Sequence, residues 1–586
     1  MKLLLTFVKK IPSFTRLHLL TLIIITNMAN AQQTIFEKTN GRETATYFEV
    51  IDYYTSLAKK SDIIKLETKG LTDSGYPLHL ILISNDKQFD PEVWHKLNKI
   101  VLMINNGIHP GEPDGIDASM MLVRDIINKK VSLPDNVVIG LIPVYNIGGA
   151  LNRSGFSRVN QEGPLEYGFR GNAQNRDLNR DFTKNDTKNA QSFAEIFHYL
   201  NPDVLVDTHV SDGADYQHTM TLITTQYNKQ GPLLGAWVKK TYEPALYQGM
   251  KNKNHDMVHY VNVDGTDPSV GFNQFNDAPR YSSGYAALFN TISFMPETHM
   301  LKPYKARTES TYDLLITLIE TNARFAKELK EIRKKAIENT IRQQEFPLSW
   351  KLDPNQFTNI TFKGYEPGIR ISKVTGLPIL YYDHSKPFTK QVKFFDVYNA
   401  QNIVNRPKAY VIPQGWWKVI DILSLNKVKM KRLENDSVIE VTSFRIENLK
   451  SMPNSYEGHH KNTKVEGSWT KEKIQFLKGD YLIDVNQESN RYIVEMLEPM
   501  GDDSFLSWNF FDGIMQAKEY YSDYRWEPVA EKFLEENPAL RAELEKKKKE
   551  NSEFANSSSA QLNFVFINSP WYEPTHKRYP VFRIEQ

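Results

Sequence analysis

Three segments of this chain share one pattern: an apolar run stops and a side chain able to do chemistry follows. The first is Asn105-Asn106-Gly107-Ile108-His109-Pro110-Gly111-Glu112, directly after Ile100–Ile104. His109 and Glu112 stand three apart across a Pro-Gly turn, so an imidazole nitrogen and a carboxylate can point at one spot, a pairing that suits zinc. The second is Val204-Leu205-Val206-Asp207-Thr208-His209, and the third is Thr291–Phe294 followed by Met295-Pro296-Glu297-Thr298-His299. H-x-x-E alone arises often by chance. A histidine after a second buried strand adds weight, because catalytic zinc takes three protein ligands and leaves one position for water. His109, Glu112 and His209 would form that set. Glu297, beside the water, would be the general base.

Between the first two segments lies Arg170-Gly171-Asn172-Ala173-Gln174-Asn175-Arg176-Asp177-Leu178-Asn179-Arg180-Asp181-Phe182. A charged loop is ordinarily just solvated. Three arginines interleaved with three asparagines, between two metal-ligand segments, suit recognition of an anionic terminus, since a guanidinium fork matches a carboxylate. Of the 14 histidines, His218, His255, His259, His459 and His460 read as ordinary hydrogen-bonded side chains.

These residues must be positioned by strands and helices. Short apolar runs at Leu78–Ile83, Ile100–Ile104, Val137–Val144, Val204–Val206 and Thr291–Phe294 read as strands, with helical stretches such as Gly115–Asn128 and Lys188–Leu200 between them. Near-continuous Val/Ile/Leu strands alternating with helices predict an α/β fold, a mostly parallel mixed sheet flanked by helices. Ligands of such sheets bind outside the carboxyl ends of the strands, where all three segments end. A long helix over Ala306–Gln344 closes this domain, which is expected to span 32–345. Alternating strands such as Lys408–Ile412, Val438–Phe444 and Tyr481–Asp484 then predict a smaller, mainly β accessory domain over 346–530. Its Trp416, Trp417, Trp508, Phe510 and Phe511 read as core or interface. A charged helix and a terminal strand, expected near Leu562–Ile567, would occupy 531–586; the Lys546–Lys549 run reads as a solvated helix face.

In motif order the chain resembles the zinc carboxypeptidases of the carboxypeptidase A type, over roughly residues 45–330: H-x-x-E, R-x-N-A, D-x-N-R, a strand ending in His, a strand ending near Glu. The resemblance implies that His109, Glu112 and His209 hold one Zn2+ per chain and that Glu297 is general base and proton shuttle. It implies that Arg170 polarises the scissile carbonyl, that Asn179 and Arg180 clamp the substrate's C-terminal carboxylate, and that Asp177 orients His109. The substrate would be a peptide with a free C-terminus. The family's mobile tyrosine has no clear match; Tyr281 and Tyr285 lie at a suitable distance from Glu297. The extra β domain is similar to that of exported bacterial members. Two other readings remain open: a zinc deacylase of N-acyl amino acids, aspartoacylase-like, and a cell-wall peptide amidase or carboxypeptidase.

The chain as a whole agrees with an exported enzyme. Its 586 residues exceed one core. A net charge of +2 with no basic stripe suggests neither nucleic acid nor an anionic membrane as partner. Without cysteine, any metal site must use His, Asp or Glu, no disulfide supports the fold and no lipoprotein anchor can form. Lys2, Lys9, Lys10 and Arg16, the apolar run Leu17–Thr26 and Ala29-Asn30-Ala31 read as a signal peptide over 1–31, cleaved before Gln32. That run is too short to span a bilayer, which needs about 20 residues. The mature protein is therefore expected to be periplasmic or secreted, of bacterial origin and without a membrane span; the sequence leaves its oligomeric state open.

Overall fold

The computed structural model describes residues 32–263 and 265–586; the expected signal peptide lies outside them. The chain divides into two compact units. Among the described residues the first comprises 32–405, Asp421–Lys429 and Asn486–Met496, and the second Arg406–Ile420, Met430–Val485 and Leu497–Gln586.

The first unit is built on a nine-stranded sheet. Its strands are β1 (Ile64–Leu71), β2 (Pro77–Ile83), β3 (Ile100–Asn105), β4 (Val137–Ile142), β5 (Val204–Asp207), β6 (His209–Ser211), β7 (Met220–Thr224), β8 (Val258–His259) and, after β9 (Phe272–Asn273) of another sheet, β10 (Ile292–His299). The order is β1-β2-β4-β3-β5-β10-β7-β8, with β6 beside β10. The central strands β4, β3, β5 and β10 run parallel, while β1, β2 and β7 join antiparallel. Every residue of β3, β4 and β5 is buried. A parallel sheet covered on both faces demands this of its strands, and unbroken Val/Ile/Leu runs supply it. The expected α/β sheet with flanking helices is the one observed.

Helix α1 (Tyr47–Lys60) opens on a capping box between Thr46 and Glu49. Helix α2 (Asp114–Ile127) follows the His109 segment and is buried along nearly its whole length. Helix α3 (Lys188–Leu200) starts where Thr187 Oγ1 accepts from Ala190 N and ends where Asn201 turns left-handed, at φ 45°. Helix α4 (Tyr304–Arg342) buries Leu314, Leu315, Leu318 and Leu329 against the sheet's core. Near its start, fully buried Arg307 donates to the carbonyls of Glu162 (2.7 Å), Met300 (3.2 Å), Lys302 (2.8 Å) and Gly163 (3.0 Å) and to Asp114 (3.2 Å).

Strands β11 (Glu345–Leu352), β12 (Thr358–Ile371), β13 (Pro378–Phe395) and β14 (Tyr398–Asn405) also belong to the first unit. These four strands, expected in the accessory domain, thus group with the first unit. β9 explains part of this: it pairs with β13, joining the later strands to a segment that precedes Glu297. The second unit carries a six-stranded sheet of β15 (Ala409–Ile412), β16 (Lys431–Arg432), β17 (Ser437–Ser451), β18 (Asn462–Phe476), β19 (Tyr481–Asp484) and β20 (Phe582–Ile584). Trp508 and Phe511 are core residues there, whereas Trp417 is 59% exposed.

Leu562–Ile567 is helix, not the expected strand. Ser557 caps a helix over Ser558–Ile567, and Phe564, Val565 and Phe566 pack with Trp526, Ala530, Leu534 and Leu544. The β-branched and aromatic run suited a strand, but a cap at its start and helical neighbours outweigh such propensity. The last strand is β20.

Arg307→Met should destabilise the first unit by about 3–5 kcal/mol, because it leaves the buried Asp114 carboxylate without its cation and removes a donor from the carbonyls of Glu162 and Lys302. Urea denaturation would read this; a change below about 1 kcal/mol would show that Arg307 does not hold these segments together.

Candidate metal centre

The site is assembled at the carboxyl edge of the central strands. After β3, Gly107 takes φ +66°, a left-handed conformation that favours glycine. His109 to Glu112 then form a turn closed by Glu112 N donating to His109 O (2.8 Å), with Pro110 and Gly111 at its centre. Asn146 steadies this loop: its amide donates to Ile108 O (3.2 Å) and to Arg170 O (3.0 Å), tying the metal segment to the arginine loop. The register of β5 on β10 continues into β6, so His209 and Glu297 are direct partners on adjacent strands. Pro296 falls beside the break between β5 and β6 and has no N–H to give a ladder. Thr208 N turns to Asn105 O instead (3.1 Å).

His109, Glu112 and His209 come together with one potential ligand atom each, all within 4.8 Å of one another, and all three are buried. His109 Nδ1 lies 3.1 Å from Glu112 Oε1, and His209 Nδ1 lies 3.1 Å from Glu112 Oε2. Each imidazole has its other nitrogen on an aspartate: His109 Nε2 on Asp177 Oδ1 (3.0 Å) and His209 Nε2 on Asp207 Oδ2 (3.1 Å). Val210 N donates to Glu112 Oε2 (2.9 Å), and Arg158 Nη2 to Glu112 Oε1 (2.7 Å).

Charge dominates this cluster. Burial alone would raise Glu112, but Arg158 and His109 outweigh it and hold the carboxyl well below its usual range. Burial likewise works against Asp177 as an anion, and His109 with Arg170 and Arg180 lowers it regardless. Burial opposes a charged His209, yet Asp207 raises it well above an ordinary histidine. Glu297 goes the other way: burial pushes it up to about 8, opposed by His209 and reinforced by Glu112 and Asp212. A centre this rich in carboxylate suits a cation. The buried Nδ1 of His109 makes no hydrogen bond, as a nitrogen meant for a metal would not. Two imidazoles and a carboxylate, each imidazole oriented by an acid, fit zinc.

The other expected residues lie around this cluster. Arg170 donates from Nε to Asp177 Oδ2 (2.9 Å), and its Nη1 is 3.6 Å from Glu112. Asp177 caps the short helix Leu178–Arg180, accepting from Asn179 N (2.8 Å). Asn179 is buried, and its Oδ1 accepts from Ser282 N (3.2 Å). Arg180 stacks its guanidinium over the Tyr281 ring at 4.4 Å. Of the two tyrosines considered, only Tyr281 therefore adjoins the site residues. Tyr285 is fully buried with its hydroxyl on Asn426 (2.7 Å), a partner 141 positions away that spacing cannot reveal. His218 and His255 are satisfied side chains, on Asp256 O (2.7 Å) and Asp313 (2.9 Å).

Sequence reasoning missed Arg158, Asn146 and Asp207. Asp207 could have been found, since i and i+2 share one face of a strand. It also missed an aromatic row, Tyr281–Phe275 (5.1 Å) and Phe275–Tyr260 (6.2 Å), in which burial and then the charge of Glu297 raise the Tyr260 hydroxyl.

Fold and site together define a metal-binding α/β domain with its centre at the carboxyl edge of a mixed sheet. Residues 50–227 match the zinc carboxypeptidase family model. It is 29% identical over 123 residues to carboxypeptidase 2 of Trichophyton tonsurans, covering 21% of this chain and 23% of that protein. To carboxypeptidase 2 of Trichophyton rubrum it is 31% identical over 104 residues, 18% and 19% of the two chains. The chain thus spans about a fifth of the length of these curated relatives. Among solved structures it is similar to a metallo-carboxypeptidase of Burkholderia cenocepacia (15% identity, TM-score 0.35, 48% of this chain and 70% of that one). It is also similar to carboxypeptidase A of Helicoverpa armigera (15%, TM-score 0.34, 48% and 73%).

Asp207→Asn keeps the shape of the side chain but removes the anion from His209. It should weaken zinc binding by about 10–100-fold, read by competition with a chromophoric chelator; wild-type affinity would show that Asp207 does not support the ligand.

Proposed function

We propose that this protein is a zinc metallocarboxypeptidase, exported by its N-terminal signal, that removes C-terminal residues from peptides. The observation that carries the reading is the buried His109–Glu112–His209 cluster with Glu297 paired to His209 and Arg170 beside Glu112. One Zn2+ per chain, held by those three side chains, would supply Lewis acidity for carbonyl and water.

The chain's own residues would do the rest. Glu297, recessed beside His209, takes a proton from the attacking water and returns it to the leaving amine; a nearby cation favours its carboxylate form despite burial. Arg170 donates to the carbonyl oxygen as negative charge develops there. Asn179 and Arg180 hold the substrate's terminal carboxylate, which confines cleavage to the last peptide bond. Asp177 keeps His109 oriented. The carboxypeptidase relatives do not favour the deacylase alternative. A cell-wall peptide remains a substrate within the same chemistry, and export to the periplasm or beyond is compatible with it. Among the described residues no helix is long and apolar enough to cross a membrane.

The test is digestion of a mixed peptide library by the chain from Gln32, followed by mass spectrometry. Stepwise loss of C-terminal residues is expected, abolished by chelator. Glu297→Gln should lower kcat by about 10²–10⁴-fold, and Arg180→Ala should raise KM and blur the preference for a free C-terminus. Internal cleavage, or none with zinc bound, would refute the carboxypeptidase reading.

A further inference from the structure

Arg158 belongs to none of the motifs above. It sits on the 152–166 loop, whose backbone is pinned at several points. Ser154 and Tyr167 exchange two hydrogen bonds (3.0 and 3.1 Å). Arg158 N donates to Tyr167 Oη (3.1 Å), and Gln161 Nε2 donates to Gly111 O (2.8 Å) and Gly163 O (3.1 Å). Phe156 and Val159 are each 95% exposed, so what this stretch of loop turns inward is the arginine, 18% exposed as a side chain.

From this anchored backbone Arg158 reaches back to the metal-ligand cluster and donates to Glu112 Oε1 at 2.7 Å. Its stem passes across Gly111. A Cβ at that position would stand 2.6 Å from Arg158 Cδ and 3.1 Å from its Nη1. The glycine of the H-x-x-E turn therefore leaves room for the arginine as well as bending the chain. The other carboxylate oxygen, Oε2, accepts from Val210 N at 2.9 Å. A guanidinium on one oxygen and a backbone N–H on the other fix the rotation of the carboxylate plane. Arg170 is less suited to hold that plane, because it lies 3.6 Å from the same oxygen, is 44% exposed, and commits its Nε to Asp177.

We propose that Arg158 is a positioning residue of the metal centre, holding the Glu112 carboxylate so that Glu112, His109 and His209 present their ligand atoms together. This rests on the zinc reading above. Arg158 touches the carboxylate of a proposed ligand, so its loss is felt first in metal affinity. Partners that orient metal ligands typically contribute 10–100-fold to affinity. Lysine offers a point charge without the planar fork and substitutes only in part.

The experiment measures Zn2+ affinity of the metal-depleted full chain by competition with a chromophoric chelator, for wild type, Arg158→Met, Arg158→Gln, Arg158→Lys and His109→Ala. Met and Gln at 158 should each weaken binding by about 10–100-fold, and Lys by less, with the melting temperature of the metal-free protein unchanged. Having two neutral variants leaves a readout should one fail to fold. Wild-type affinity in the neutral variants overturns the proposal, as does a loss matched by destabilisation of the metal-free protein, which would make Arg158 a residue of the fold. His109→Ala separates the two readings. If it binds zinc like wild type, the zinc reading itself fails; if it alone loses zinc, that reading stands without Arg158.

Discussion

Parallel strands cannot be joined by tight turns; each must be followed by a crossover that returns the chain to the opposite edge. The central strands β4, β3, β5 and β10 obey this constraint, and the site depends on it. Because they run the same way, the segments that leave β3 and β5 emerge at the same edge that β10 reaches at Glu297. Residues as distant in sequence as His109 and Glu297 thereby become neighbours without any local motif linking them. Burial of the strands on both faces makes the arrangement rigid, since a slip in register would exchange the close-packed side chains of both faces and leave voids and clashes.

A second constraint is electrostatic. Glu112, Asp177, Asp207, Asp212 and Glu297 gather around two imidazoles at the end of an apolar sheet, where desolvation disfavours charge. Arg158, Arg170 and Arg180 compensate part of it. Asp177 and Glu112 are held low because specific cations face them, while burial, reinforced by two nearby acids, pushes Glu297 up to about 8. Bound zinc would be the largest local charge and would shift Glu297 toward the carboxylate.

How much of this was legible in the sequence follows from the range of each signal. The strands β2, β3, β4, β5 and β10, helix α3 and the triad His109, Glu112 and His209 each announced themselves locally, by an apolar run, a helical pattern, or a polar residue soon after a strand. Arg158 and Asn146 gave no such signal. Their roles arise from loop contacts, Arg158 with Glu112 and Asn146 with Ile108 and Arg170, that follow no period. Tyr285 was indistinguishable from Tyr281 by spacing, and only the partner of its hydroxyl separates them. The segment Leu562–Ile567 shows the same limit in secondary structure: its composition suits a strand, but its neighbours are helices.

The two imidazoles are oriented by acids of different origin, and the difference has a consequence. Asp207 ends the strand just before His209, and Asn105 Nδ2 on the neighbouring strand donates to its Oδ1 (3.0 Å), so that pair is held within the sheet. Asp177 comes from the arginine loop. Its Oδ1 faces His109 Nε2 and accepts from Asn179 N, while its Oδ2 accepts from Arg170 Nε and lies 3.8 Å from Arg180. One carboxylate thus joins a proposed metal ligand to the Arg170 and Arg180 side chains and to the backbone of Asn179, the three residues proposed to bind substrate. The loop cannot shift without disturbing His109, so the loop proposed to recognise the substrate terminus is held in place by the same carboxylate that faces the His109 imidazole.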